Sequence, residues 1–566
     1  MAEDTGWAGG FDCVLGNPPW DQVQVDAREF FASRRPDIAE AANMTSRNSM
    51  IGKLENEDPE LLWAYNEEKR GNDGFKHFAH ASGRFPLTSY GRLNTYSLFA
   101  EAVRWLVSES GRTAQIIPSG IATDSFNQYF FKDLVQKGSI AALYDFENSS
   151  PLFPSVHRSF KFCILSLVGR GLRESKAWFA FFLYDPAELD GADKAFIMTP
   201  EEITLLNPNT GTCPVFRSRR DAEITLDIYR RVPILVKEGD PNGNPWGVSF
   251  QLMFMMNTDS DKFHTRRQLE NDGWNLEGNV FVRDGKRMLP LYEAKMLHHY
   301  DHRWATYTEG GGTRDLTLEE KQDPNAVVMP RYWVGEVEVS DARKNRSWDQ
   351  SWFMGFRKIC RSTDERTIVS FVFPEGGIGD SGNVIISEKA NSHLLYAVTV
   401  SFALDYFLRQ KLGGTNLNFF QFMQLPVLKE GALKGVSGFI SRRVLEMVFT
   451  STSMGSFNRV LGDSGGPFRW DEGRRAAIRA ELDALFFHLY GIDRDDADYI
   501  METFPIVKKK DVAKYGAYRT KERILEIYDR MAEAGVSQGT PLVDGENFIS
   551  ELTPPPGHGP RHAPAS

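Results

Sequence analysis

Residues 11–170 alternate short apolar runs with amphipathic stretches. Phe11, Cys13, Val14 and Leu15 lead into Gly16 and predict a buried strand ending at Asn17-Pro18-Pro19-Trp20. A polar, charged stretch follows, about Asp26–Lys76. From Thr95 to Ser110 apolar residues recur at helical spacing, with Leu98, Phe99, Ala102, Val103 and Leu106 on one face and Gly111 as the stop. Thr113–Pro118 reads as a strand, Ser125–Lys137 as a helix and Ile140–Phe146 as a strand, and Phe160–Val168 closes the series. Such alternation predicts an open α/β sheet.

From about Arg170 to Lys429 the pattern changes to short strands with frequent Gly and Trp, interrupted by a helical stretch at Ala390–Lys411. Beyond about Gly435 the chain reads mainly as helix, notably at Asp471–Tyr490 and Lys521–Ala534. The last thirty or so residues, rich in Pro, Gly and His, predict disorder. The expected division is therefore 1–170, 171–435, 436–535 and a tail at 536–566. There is no internal repeat.

A length of 566 residues suggests three or four domains. Hydrophobic content of 41% and charged content of 25% are ordinary for a soluble globular protein. Cys13, Cys163, Cys213 and Cys360 lack metal-ligand spacing, which argues against a zinc site or a disulfide framework. With no spanning apolar run and no basic-then-apolar leader, a cytoplasmic location is expected. The net charge of −10 disfavours nucleic acid only weakly, because local fields decide. Basic clusters occur at Arg217/Arg219/Arg220, Arg283/Lys286/Arg287, Arg343/Lys344/Arg346, Arg357/Lys358 and Lys508–Lys510; most such runs are solvated faces, and only those flanking a groove would track phosphates.

The Asn17–Trp20 corner fits one chemical problem, methylation of the exocyclic amine of a flipped adenine. That amine is a poor nucleophile, because its lone pair is delocalised into the ring. Two acceptors on its N–H bonds, the Asn17 side-chain oxygen and the Pro18 carbonyl, would pull the nitrogen towards tetrahedral geometry and aim the lone pair at a methyl sulfonium. Trp20 offers a face for an extruded base. The paired prolines fix φ and keep the carbonyls free of a ladder. The structural alternative is a proline-stiffened turn after a core strand.

Several further segments, in order, resemble those of large adenine-specific DNA methyltransferases of the type IIG restriction-modification class and their phage-defence relatives, with the gamma-type motif order. Asn17–Trp20 matches the catalytic loop, and Tyr96–Leu106 with Gly111–Pro118 is similar to the helix and strand after it. Leu152–Leu167 resembles the last strands of the catalytic sheet. Leu291–Arg303, Arg357–Pro374 and Leu417–Pro426 resemble the target-recognition region.

The resemblance implies an α/β fold: a partial Rossmann-like methyltransferase sheet, a mixed α+β target-recognition domain and a C-terminal helical region. It implies S-adenosyl-L-methionine as methyl donor and double-stranded DNA as substrate. Asn17 and Pro18 carry over as amine acceptors and Trp20 as the stacking residue. Phe160, with Phe153 behind it, is the candidate for a second stacking aromatic, core packing being the alternative. Arg283, Arg287, Arg343, Lys344, Arg346 and Arg357 are the candidate DNA contacts. The cofactor turn of this class lies upstream of the catalytic loop, so a separate or missing N-terminal half is expected as partner, and no cofactor-binding residue is assigned. Glu375–Gly382 is no substitute, since no helix follows it.

Three other strings invite misreading. Gly462–Pro467 (GDSGGP) resembles a serine-protease nucleophile loop, but no upstream His has a matching context, and a flexible loop before a helix is expected. Asp284 with Glu293-Ala294-Lys295 mimics a metal-dependent nuclease, although the nuclease of type IIG relatives precedes the methylase. His298, His299, Asp301 and His302 are too crowded to converge on one ion, and a surface or DNA-facing loop is expected. Two rivals to the methyltransferase remain: a DNA-recognition subunit without activity, and a Mg-dependent restriction nuclease using Asp284 and Glu293.

Overall fold

In the computed structural model β1 (Phe11–Gly16) is an edge strand. The structure describes residues 9–41, 44–150, 152–191, 194–344, 348, 350–537 and 548–563. The chain forms two units, one up to Ala222 and one from Glu223.

In the first unit β1 pairs in parallel with β2 (Val107–Pro118). β3 (Ile140–Glu147), β4 (Lys161–Val168), β5 (Ala177–Leu183) and β6 (Phe196–Met198) complete a six-stranded sheet in the order β1-β2-β4-β3-β5-β6. β4 runs antiparallel to both β2 and β3, while β5 is parallel to β3. The sheet therefore does not close at Val168, because β5 and β6 extend it.

β1 is not the buried strand its composition predicts: Leu15 is 75% and Phe11 55% exposed. An apolar run signals burial only where other elements cover it, and among the described residues β1 has one strand neighbour.

The polar stretch after β1 is helical: α1 (Ala27–Ala32), α2 (Pro36–Ala39), α3 (Met44–Glu57) and α4 (Pro59–Ala81). Asp26 and Asp58 cap α1 and α4, and Phe31, Ile38 and Leu54 form a small core. α5 (Thr95–Leu106) leads directly into β2, which starts six residues before the predicted strand. Gly111 is thus not a helix stop. It lies within β2, where an added Cβ would come 2.8 Å from the carbonyl oxygens of Phe11 and Asp12. Leu98 and Val103 of the predicted apolar face are buried, but Phe99 and Leu106 are exposed, as is Trp105. α6 (Gln128–Lys137) ends at Gly138 in the left-handed region.

Among the described residues the second unit holds two large sheets, one of five strands and one of four, a two-stranded ribbon and a helical layer. One sheet orders Tyr332–Gly335, Lys286–Tyr292, Val280–Arg283 and Asn275–Glu277, with Gly377–Ile378 pairing in parallel with Lys286–Tyr292 as its fifth strand. The other orders Ser370–Pro374, Trp352–Arg357, Gly382–Ser387 and Val248–Gln251. The predicted helix at Ala390–Lys411 is two helices, α7 (Ser392–Thr399) and α8 (Phe402–Arg409), broken where Ser401 caps the second. α9 (Ser437–Val448), α10 (Glu472–Tyr490), α11 (Pro505–Tyr515) and α12 (Arg519–Glu533) follow. No helix among the described residues is long and apolar enough to cross a membrane.

Part of the tail expected to be disordered is ordered: Phe548 is buried against Phe439, and Arg561 pairs with Asp463 at 2.7 Å. This explains the GDSGGP string. A Cβ on Gly465 would lie 2.4 Å from the Arg561 guanidinium, and one on Gly466 would lie 2.4 Å from the His562 carbonyl. The glycines admit the returning tail.

Candidate functional site

β1, β2, β3 and β5 run in one direction, so their carboxyl ends share one edge of the first sheet. Asn17 follows β1, Ser119 follows β2 and Asn148 follows β3, while β4 begins at the same edge with Lys161. Open α/β sheets bind ligands at such an edge.

The Asn17–Trp20 corner is held by Thr95, the first residue of α5. Its hydroxyl donates to the Pro19 carbonyl at 2.7 Å and accepts from the Asp21 amide at 3.1 Å, and its own amide donates to the Asp21 carbonyl at 3.0 Å. The Asn17 side chain is exposed, and neither its amide nor the Pro18 carbonyl has a hydrogen-bond partner among the described residues. Two acceptors therefore stand on a backbone fixed by two prolines and a threonine. Thr95 gave no sign in the sequence beyond its place at the start of a helix.

Trp20 is half-buried, and its Nε1 donates to the Ile116 carbonyl at 3.3 Å. Its ring stacks on Phe160 at 5.6 Å and 11°, and Phe153 meets it edge-on at 6.3 Å. Phe162, fully in the core, lies 6.3 Å away. The loop carrying Phe153 and Phe160 is organised by Asn148, whose side-chain amide donates to the Phe153 and Val156 carbonyls, both at 2.9 Å, while its oxygen accepts from the Phe153 amide. The three aromatics expected to stack are thus one cluster, with Phe160 partly exposed at its outer face.

Polar groups at the same edge are desolvated. Burial pushes the Asp145 carboxyl up, opposed by a hydrogen bond from the Ser119 hydroxyl and by the Lys161 charge. Burial likewise pushes the Lys161 ammonium down. Asp124 is pushed up to about 6 by burial, and Tyr96 up to about 12 by burial and then the Asp124 charge. Phe182 adopts a left-handed φ of 58° and donates its amide to Asp145 at 3.3 Å.

The basic residues expected to contact DNA lie in the second unit and divide by environment. Arg283 is half-exposed, beside Asp284 at 3.4 Å and the Trp274 ring. Arg287 pairs with Glu375 at 2.7 Å and Glu336 at 3.6 Å, and Arg343 shares Glu375 at 3.4 Å. Arg357 departs from the expectation: its guanidinium is committed to the Leu297 carbonyl, and burial holds it down at about 10. Lys344 ends the helix Glu336–Lys344, and Arg346 lies outside the described residues.

The histidine run is not a surface loop. His299, Asp301 and His302 are buried: His299 Nε2 bonds the Ile368 carbonyl, Asp301 pairs with Lys321 at 2.8 Å, and His302 bonds the Ser453 hydroxyl. Arg303 beside them is buried and donates to the carbonyls of Asp323, Ala326, Lys321 and Thr450. The segment staples the second unit together. No cluster of three or more His, Cys, Asp or Glu among the described residues could hold a metal ion. The nuclease pairing also fails on geometry. Asp284 sits on the hairpin tip before strand Lys286–Tyr292 and Glu293 follows its far end, roughly 30 Å away at strand rise.

No family model matches the chain, and no curated protein matches it. Solved structures similar to it include the type IIL restriction-modification enzyme MmeI in complex with DNA, 8% identical over 76% of this chain and 55% of that one, with a TM-score of 0.37. A nuclease-deletion mutant of the type ISP restriction-modification enzyme LlaGI with a DNA substrate mimic is 10% identical over 76% and 42%, at 0.34. The type I methyltransferase subunit from Streptococcus thermophilus is 14% identical over 38% and 39%, at 0.22. The chain therefore spans about two-fifths to just over half the length of these proteins, and at such scores the likeness carries no inference about activity. The solved structures that this chain is similar to are enzymes and subunits of restriction-modification systems.

Proposed function

We propose that this chain carries the target-base pocket and the DNA-recognition region of an adenine N6 DNA methyltransferase in a restriction-modification or phage-defence system. One observation supports the reading above others: the Asn17 amide and the Pro18 carbonyl are unpaired acceptors on a corner clamped by Thr95, with a tryptophan beside them whose ring is stacked rather than sunk in the core. Each acceptor takes one N–H of the exocyclic amine. The amine nitrogen then rehybridises and its lone pair is released from the ring. Preorganised acceptors perform this without reorganising at the moment of reaction. Trp20 covers the face of the extruded adenine.

The methyl donor in this reading is S-adenosyl-L-methionine. The residues in hand do not furnish its whole site, since no glycine-rich strand-to-helix turn occurs in the first sheet among the described residues. We assign the nucleoside half of the pocket to a complementing half that adds a parallel strand along β1. The exposed Leu15 and Phe11 and the uncovered Phe99, Trp105 and Leu106 suit such an addition. The first unit then supplies the remaining portion of a Rossmann-like sheet, and sequence reading falls to the sheets beyond Ala222 acting on double-stranded DNA.

The test is methylation mapping in the native host, which keeps any complementing half present. Deleting the gene is expected to remove N6-methyladenine from one sequence motif, wild-type complementation to restore it, and Asn17→Ala to fail while the purified variant still binds duplex DNA. An unchanged methylome in the deletion strain refutes the assignment.

A further inference from the structure

The second unit contains a cavity of about 470 Å³ among α7, α8, α10, α11 and the start of α12, remote in sequence from the Asn17 corner. Its volume falls within the range of small-molecule sites, roughly 300–1,000 Å³. Arg479, on α10, points into it. The residue is exposed and makes no ion pair or hydrogen bond among the described residues, the Asp483 carboxylate being the first opposite charge acting on it.

Other lining groups sharpen the chemistry. Arg519 and Arg523, one turn apart on α12, are likewise without ion pairs among the described residues. Of the further cations, Arg366 pairs with Asp405 at 2.6 Å, Lys510 pairs with Glu365 at 2.5 Å, and Lys514 is exposed, its ammonium 5.0 Å from the Tyr515 ring centre. Of the lining carboxylates, Asp511 accepts from the Thr520 amide and Asp483 from the Phe402 amide at 2.8 Å, while Glu472 lies exposed at the start of α10. Burial pushes Asp483 up to about 6, so part of the opposing charge is reduced in mild acid. Three unpaired guanidiniums therefore converge on one space. Guanidinium forks match phosphate oxygens bidentately. Phe402, Phe486, Val507 and Ile524 supply apolar stretches of the wall and give a ring something to lie against.

We propose that this cavity is a binding site for a phosphorylated, ring-bearing small molecule of nucleotide size, with Arg479 on the α10 wall and Arg519 and Arg523 on the α12 wall. A cavity of this volume suits a small free ligand.

The experiment is isothermal titration of the full chain with ADP, with adenosine as the phosphate-free control, repeated on Arg479→Gln and Arg523→Gln. ADP is expected to bind, adenosine to bind at least tenfold more weakly, and each substitution to weaken ADP at least tenfold. Arg523 sits on a different helix, so its variant keeps the test informative if Arg479→Gln fails to fold. Absence of ADP binding at millimolar concentration overturns the proposal, as does binding that neither substitution weakens. Displacement of ADP by duplex DNA would reassign the guanidiniums to the nucleic-acid backbone and overturn it equally.

Discussion

The Trp20 and Phe160 rings lie nearly parallel, 5.6 Å between centroids and 11° between planes. A base inserted between two aromatic faces needs about 7 Å, two van der Waals layers. Under the proposed function, Phe160 occupies the space a flipped adenine would take against Trp20, and it would have to swing aside on binding. Being partly exposed, it gives up little to do so.

Phe160 and its neighbour Phe162 are accordingly expected to separate function from stability. Phe160→Ala should lower methylation of target DNA at least tenfold and shift unfolding free energy by less than about 1 kcal/mol. Phe162→Ala, deep in the core, should cost about 3–5 kcal/mol. Urea unfolding and a methylation assay on both variants check the pair, and equal destabilisation would remove the distinction.

Thr95 holds the corner through its hydroxyl, so Thr95→Val should loosen the acceptors while keeping the side-chain shape. The expected stability change is about 1 kcal/mol, the net value of one hydrogen bond. Methylation should fall about tenfold, and Thr95→Ser should restore it. A melting curve beside host methylome mapping distinguishes positioning from general damage.

The exposed β1 edge predicts association. Leu15→Lys puts a charge on a strand whose side chain now faces solvent, and folding should be unaffected. Host N6-methyladenine should nonetheless disappear with expression unchanged, because a charged edge blocks strand addition. Retention of the full methylome in Leu15→Lys would mean that nothing docks there.

Asp483 predicts a pH dependence of stability. Burial raises its folded-state value to about 6, above that of an unfolded Asp, so ionisation penalises the folded state. The penalty is absent below the unfolded value, grows as pH rises and is complete above about 6. Asp483→Asn should therefore stabilise the protein at pH 8, by on the order of 2–3 kcal/mol, and leave it unchanged near pH 3.5. Thermal melts of both proteins across that range decide it.

Much of the first sheet was legible in the chain. The strands at Ile140 and Lys161 and the helix at Gln128 appear within a residue or three of their predicted bounds, since period and turn residues are local signals. The four helices between Ala27 and Ala81 were not legible, because a solvated helix pair with a small core leaves only a weak apolar stripe. Arg357 and the His299–His302 run were misjudged for one reason: polarity in sequence was taken for exposure, whereas each side chain finds a buried partner far along the chain. The same holds for the tail, whose Arg561 meets Asp463 nearly a hundred residues upstream.

By itself the sequence determined the alternation of strand and helix, the stiff diproline corner and the identity of the aromatics beside it, all properties of neighbouring residues. Only the tertiary structure decided that β1 is an uncovered edge, that Thr95 clamps the corner, that Phe160 fills the face of Trp20, and that three guanidiniums converge on one cavity. Those outcomes depend on which distant segments pack together, and packing is settled by burial of the whole chain rather than by any local pattern.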